Sequence, residues 1–157
     1  MKYATDVKPD AGAIRAILIH TDLQRVVETW IQPELDAYTK TIGCQRIDFA
    51  YPQFLSERGE TVVVDDEAMF STKRPAICWT LGAPCFQPYF GSGLIVGTDD
   101  ATGETASTSF DLEEVRAALR FATPQMQING KTVYQSVPGD DFLIWDEEAM
   151  RFRKVRR

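Results

Sequence analysis

The chain has 157 residues, of which 44% are hydrophobic and 11% aromatic, with a net charge of −6 at neutral pH. A chain of this size can bury about 68–70% of its unfolded surface, so the composition excludes a disordered chain and one that needs disulfide or metal staples to fold. No apolar run approaches the ~20 residues of a membrane-spanning helix, and the opening Met1-Lys2-Tyr3-Ala4-Thr5-Asp6 has no apolar signal core.

Residues 1–12 are polar and contain Pro9 and Gly12, which reads as a loose lead-in. Ala13 to Ile19 is apolar apart from Arg15, the pattern of a central strand. Thr21-Asp22 turns the chain into a second strand from Gln24 to Ile31. Pro33 is expected at the first position of a helix over 33–42 that Gly43 closes, with Leu35, Tyr38 and Ile42 on one face. Ile47, Phe49 and Tyr51 alternate with Asp48 and Ala50 as a half-buried strand stopped by Pro52, and residues 52–59 read as a loop. Glu60 to Val64 forms the next strand. Ala76 to Leu81 is a short apolar run of either type. The Pro/Gly-rich stretch after it reads as a loop holding Phe86, Tyr89 and Phe90.

Leu94–Thr98 and Glu104–Ser109 read as a hairpin whose polar second strand is an edge. Asp111 with Glu114 makes a capping box for a second helix over 112–122, which Pro124 is expected to end. A β-meander follows. Asn129-Gly130, the pair that type I′ turns demand, joins Met126–Ile128 to Thr132–Val137, and Phe142–Trp145 completes it. The pattern predicts an α+β fold, a mainly antiparallel sheet with two short helices at about 33–42 and 112–122. It divides the chain into lead-in 1–12, core 13–123, meander 124–150 packed on the same domain, and a basic tail 151–157.

One acidic phrase occurs twice. Val64-Asp65-Asp66-Glu67-Ala68-Met69-Phe70 recurs as Trp145-Asp146-Glu147-Glu148-Ala149-Met150-Arg151-Phe152. Each copy sets three carboxylates just past a strand. Five of the last seven residues are basic, so removing their +5 from the net −6 leaves −11 on residues 1–150. An acidic body repels nucleic acid and favours a basic protein partner, and only the tail 151–157 could meet phosphate.

Neither phrase has the alternating spacing of a calcium loop, and no histidine lies near for a transition metal, so no metal or cofactor is expected. Asp and Glu there also serve as ordinary strand punctuation. His20, the single histidine, could act as a base oriented by Asp22 on Cys44, Cys78 or Cys85, but the spacing selects none of these thiols, and a strand-end polar residue is the simpler reading. An odd, sparse cysteine set fits a reducing cytoplasm. Gly91-Ser92-Gly93 with Gly97 lacks the following helix that a phosphate loop requires, and reads as turn or bulge glycines.

Thr61-Val62-Val63-Val64-Asp65-Asp66-Glu67 and Pro88-Tyr89-Phe90-Gly91-Ser92-Gly93-Leu94-Ile95-Val96-Gly97 together resemble an uncharacterised family of small domains common on bacteriophages, prophages and mobile plasmids. The resemblance runs from about Ala13 to Phe110. The chain departs from it at Lys73-Arg74-Pro75-Ala76, where the family pattern carries an asparagine in a Pro-Asn-Pro-Ala-like context. The family implies a mobile-element origin and brings no activity and no catalytic residues.

Three readings of function follow. The first is a non-catalytic acidic protein of a mobile element that inhibits or modulates a host or defence protein with a basic surface, by nucleic-acid mimicry in one form. Asp65, Asp66, Glu67, Asp146, Glu147, Glu148, Phe86, Tyr89 and Phe90 are its candidate contacts. The second is a small enzyme with a metal or acid/base site built from Asp65, Asp66, Asp146 and Glu147. The third is an oligomeric accessory protein using the strands Glu104–Ser109 and Phe142–Trp145.

Overall fold

A computed structural model describes residues 10–68, 76–82, 88–137, 142–146, 148 and 151–155. Phe86, Cys85, Glu147 and the Lys73-Arg74-Pro75 stretch lie outside the described residues. The elements in chain order are β1 (Ile14–His20), β2 (Arg25–Ile31), α1 (Leu35–Ile42), β3 (Ile47–Ala50), α2 (Gln53–Ser56), β4 (Thr61–Asp65), β5 (Cys78–Leu81), β6 (Tyr89–Phe90), β7 (Gly93–Thr98) and β8 (Thr105–Ala106). They continue with α3 (Leu112–Ala118), β9 (Leu119–Ile128), β10 (Lys131–Val137), β11 (Phe142–Asp146) and β12 (Arg151–Lys154).

The strands form two sheets, ordered β2-β1-β7-β4-β3 with β8 on β7, and β12-β11-β10-β9-β5-β6. Every described pairing is antiparallel. The expected mainly antiparallel fold with few short helices is what the chain adopts.

The first sheet is buried on both faces, which explains its continuous apolar runs in β4 and β7. Ile14, Ala16, Val63, Leu94 and Val96 pack under Tyr38 and Ile42 of α1. Ile17, Ile19, Val26, Val62 and Ile95 face the other way, onto Trp79, Leu81, Leu119 and Phe121 of the second sheet. Leu55 of α2 and Val115 of α3 seal that layer. Gly93 is required there: a Cβ on it would sit 2.5 Å from the Trp79 indole, so the glycine lets the ring lie against β7.

The second sheet curls. Phe90 on the edge strand β6 meets Trp145 of β11 with ring centroids 5.7 Å apart, although β5, β9 and β10 lie between them in the sheet. Trp145 in turn touches Phe152 at 5.3 Å, and Phe152 touches Tyr134 at 4.9 Å. These rings, with Ala68, Cys78, Ala122 and Leu143, form a separate inner cluster.

Several local expectations are corrected. Helix α1 starts two residues after Pro33, because Glu34 is still extended at φ −143 and serves as the N-cap. Gly43 closes it in the left-handed conformation as expected. Leu35 is 60% exposed, since α1 reaches the sheet through Ala37, Tyr38 and Ile42. Residues 52–59 contain the short helix α2, nucleated where the Pro52 carbonyl accepts the Leu55 and Ser56 amides and driven by complete burial of Leu55. The stretch containing Tyr89 and Phe90 is a strand, paired to β5.

The hairpin strand expected over Glu104–Ser109 shrinks to two residues. The chain then leaves β7 for the start of β1: the Thr108 amide donates to the Arg15 carbonyl, and the Arg15 amide donates to Ser107 Oγ. Buried Glu60 holds this crossing by accepting from the Thr108 hydroxyl and from the Ser109 amide and hydroxyl. The Arg15 guanidinium bonds the Thr108 and Phe110 carbonyls and pairs with Glu28 at 2.7 Å.

The Asp111/Glu114 capping box forms, but α3 ends at Ala118 rather than near residue 122. Leu119 to Ala122 pair with Leu81 to Cys78, so sheet hydrogen bonds override the helical periodicity. Pro124 does not end a helix; it sits inside β9 at a register shift opposite Tyr134, where no ladder amide is needed. Asn129 and Gly130 turn with φ of 51 and 78, as the sequence demands. The basic end is not wholly a frayed tail: Arg151–Lys154 pair with β11, and Phe152 is buried.

Candidate functional site

The first acidic phrase is a turn tied to its own surroundings. Asp65 accepts the Glu67 amide at 2.9 Å. The Asp66 amide donates to the Arg46 carbonyl at 3.0 Å, and Glu67 pairs with Arg46 at 3.6 Å. Asp66 and Glu67 are exposed, while Ala68 folds back into the inner cluster. The Cys44 thiol is pushed up by burial and then by the Asp65 charge, partly offset by a hydrogen bond with the Arg46 backbone.

The second phrase lies where β11 pairs with β12. Asp146 lies opposite Arg151 in the ladder, and its carboxylate meets Arg153 Nε at 3.3 Å. Glu148 is exposed. Part of the basic end is therefore folded back against the acidic phrase, and the division into an acidic body and a separate basic tail is not a structural one.

Both turns leave the same aromatic cluster. Ala68 follows the first, Trp145 precedes the second, and Phe90 packs against Trp145 in the same cluster. The neighbouring Gly91 closes the link, with its Cβ position 3.4 Å from Ala68 and 3.6 Å from Asp65. Of the aromatics expected as contacts, the two described are drawn inward: Phe90 is buried, and Tyr89 stacks on Trp79 at 4.7 Å. Their side chains build the core, which takes Phe90 out of reach of any partner.

Beside the second phrase lies a cleft of about 570 Å³ whose walls include Lys131, Thr132, Trp145, Asp146, Glu148 and Arg153. Asp65, Asp66 and Glu67 do not line it. Among the described residues, no group of three or more His, Cys, Asp or Glu side chains is placed to hold a metal ion, so Asp65, Asp66 and Asp146 do not combine into such a site.

The remaining motifs are structural. The Gly91 carbonyl accepts from the Thr21 hydroxyl and, at 2.8 Å, from Trp79 Nε1, and a strand rather than a helix follows it. His20 Nδ1 accepts the Leu23 amide at 3.4 Å, closing the β1–β2 turn. Strand Phe142–Trp145 is not a free edge: β10 pairs with it from Phe142 to Ile144 and β12 from Leu143 onward. Sequence reasoning missed Lys131, Thr132 and Arg153 as cleft residues. The Asn129-Gly130 turn signalled the hairpin that carries the first two, but nothing signalled β12.

A family model described as Domain of unknown function (DUF3846) matches residues 14–120. The chain belongs to that family. The DUF3846 match covers the whole first sheet, β5, β6 and the three helices among the described residues, and stops two residues into β9. The cleft and the second acidic phrase lie beyond it. No curated protein and no solved structure matches the chain. Among the described residues, no helix is long and apolar enough to cross a membrane.

Proposed function

We propose that this protein is a non-catalytic binding protein of a phage or mobile element, and that it modulates a host or defence protein with a basic surface. The observation that carries the reading is the convergence of its two acidic turns on one buried aromatic cluster, with Asp66, Glu67 and Glu148 left in solvent. A rigid base under both turns fixes carboxylates relative to one another, and such an array attracts a cationic surface over distance. In its mimicry form, those carboxylates occupy places where phosphates would sit. The net charge of −6 supports the sign of the partner, and the family resemblance supports the origin.

The test is capture of partners from native-host lysate on the immobilised protein, identified by mass spectrometry. The expected result is a basic protein released as salt rises from about 0.1 M to about 1 M, where the screening length falls from about 10 Å to about 3 Å. Neutralising the first turn (Asp65→Asn, Asp66→Asn, Glu67→Gln) should weaken capture. Capture that ignores both salt and the neutralised turn, or no partner above the control, overturns the reading.

A further inference from the structure

We infer that the cleft at the end of the second sheet is a docking site for a short extended peptide segment carrying charges of both signs, an inference that rests on the reading of a protein partner. The β10–β11 ladder has the register Val133↔Ile144, Tyr134↔Leu143 and Gln135↔Phe142. Both strands run further, β10 back to Lys131 and β11 on to Asp146. Continuing the same register would set Thr132 opposite Trp145 and Lys131 opposite Asp146. Those pairs are not made. The start of β10 and the end of β11 part instead, and the cleft opens there, lined by those same four residues.

The cleft's volume of about 570 Å³ falls within the range of about 300–1,000 Å³ typical of ligand sites. One wall is the outer edge of β10 at Lys131 and Thr132, which β11 does not pair. A strand edge of this kind takes an extended backbone by main-chain hydrogen bonds, with side-chain pockets giving specificity.

The charges around the cleft divide into two kinds. Asp146 and Arg153 meet each other at 3.3 Å and largely neutralise one another. Lys131 at the start of β10 and Glu148 beyond the end of β11 are in no ion pair among the described residues. Among the described residues, one cation and one anion outside any ion pair thus line the same space. A segment with an acidic side chain toward Lys131 and a basic one toward Glu148 matches both, whereas a polyanion meets Glu148 and a polycation meets Lys131.

The experiment selects twelve-residue peptides from a random phage-displayed library on the wild-type protein, then titrates the enriched peptides into ¹⁵N-labelled protein. The expected result is enrichment of mixed-charge sequences that move the amide signals of Lys131, Thr132, Trp145 and Asp146. Thr132→Trp, which fills the cleft, should weaken their binding at least tenfold. Lys131→Glu on an exposed side chain should weaken peptides bearing the acidic residue and provides the test should Thr132→Trp not fold. Failure to enrich any peptide overturns the proposal, as does binding that shifts signals elsewhere and survives both variants. Neither outcome decides the lysate capture, which is tested by neutralising the first acidic turn.

Discussion

The first sheet buries both faces and takes its registers from uninterrupted apolar runs, whereas the second turns one face inward onto rings and ends in a polar cleft. A register slip in the first sheet would expose a hydrophobic set on either side, so its pairing is strongly specified. The second sheet is set by residues far apart in sequence: Phe90, Tyr134, Trp145 and Phe152 meet only because the sheet curls. The sheet that packs from both sides is the one the family match covers fully. The curled sheet is where the chain carries its cleft. Rigidity on one side and a partly open ladder on the other is a reasonable division between holding a shape and presenting a surface.

Trp79 joins the two regions, so its loss is the most direct way to break the contrast. It is fully buried, hydrogen-bonds Gly91 and stacks on Tyr89. Trp79→Ala should cost about 3–5 kcal/mol. Urea unfolding followed by far-ultraviolet circular dichroism and by tryptophan fluorescence should show one shared, earlier transition. Separate transitions would mean that the two sheets fold independently.

Glu60→Ala probes how the first sheet holds its long crossing from β8 to β1. The substitution leaves the Thr108 and Ser109 donors without their acceptor, a cost of about 1–3 kcal/mol, seen as a lower urea midpoint with an unchanged slope. Asp111→Ala removes half of the capping box of α3, and a loss of about 1 kcal/mol is expected by the same assay. If the loss is near zero, burial of Val115 rather than the cap holds the start of α3.

The smallest change sharpens the contrast at high pH. Burial pushes the Tyr38 phenol up, an effect the nearby Thr105 partly offsets. Its hydroxyl has no hydrogen-bond partner of normal geometry among the described residues. With the folded value raised above the ordinary ~10, the unfolded chain releases the proton first. The associated stability is intact below pH ~10 and is lost as pH climbs toward the folded value. Tyr38→Phe should therefore be neutral or slightly stabilising at pH 7, by at most ~1 kcal/mol. Its advantage over the wild type should widen above pH ~10 in thermal melts. An unchanged difference across that range would show that the phenol is not held back by burial.

The first sheet was largely legible. The runs Thr61–Val64 and Leu94–Val96 can only be buried strands, and Gly43 and Asp111 mark helix ends by chemistry that tertiary contacts did not override. The second sheet was legible where a turn is chemically forced, at Asn129-Gly130. It was not legible at Leu119, where a helical pattern gives way to a strand because Cys78–Leu81 needs a partner. Nor was it legible at Arg151–Lys154, whose basic side chains disguise a strand held by a single buried ring, Phe152. The candidate site shows the same split. Asp146 and Glu148 were singled out for their charge, whereas Lys131 and Arg153 join them through pairings that no local pattern announces.

The long reach from β5 to β9 has a consequence for how the protein is made. A ribosome releases Cys78–Leu81 well before Leu119–Ala122, so this apolar strand must wait for its neighbour while the first sheet can already close around β7. During that interval the nascent chain exposes a ready template for sticking to other chains. Cutting the gene at residue 118 would make the wait permanent. The strand that straddles the end of the family match is therefore also the chaperone that β5 carries in its own chain.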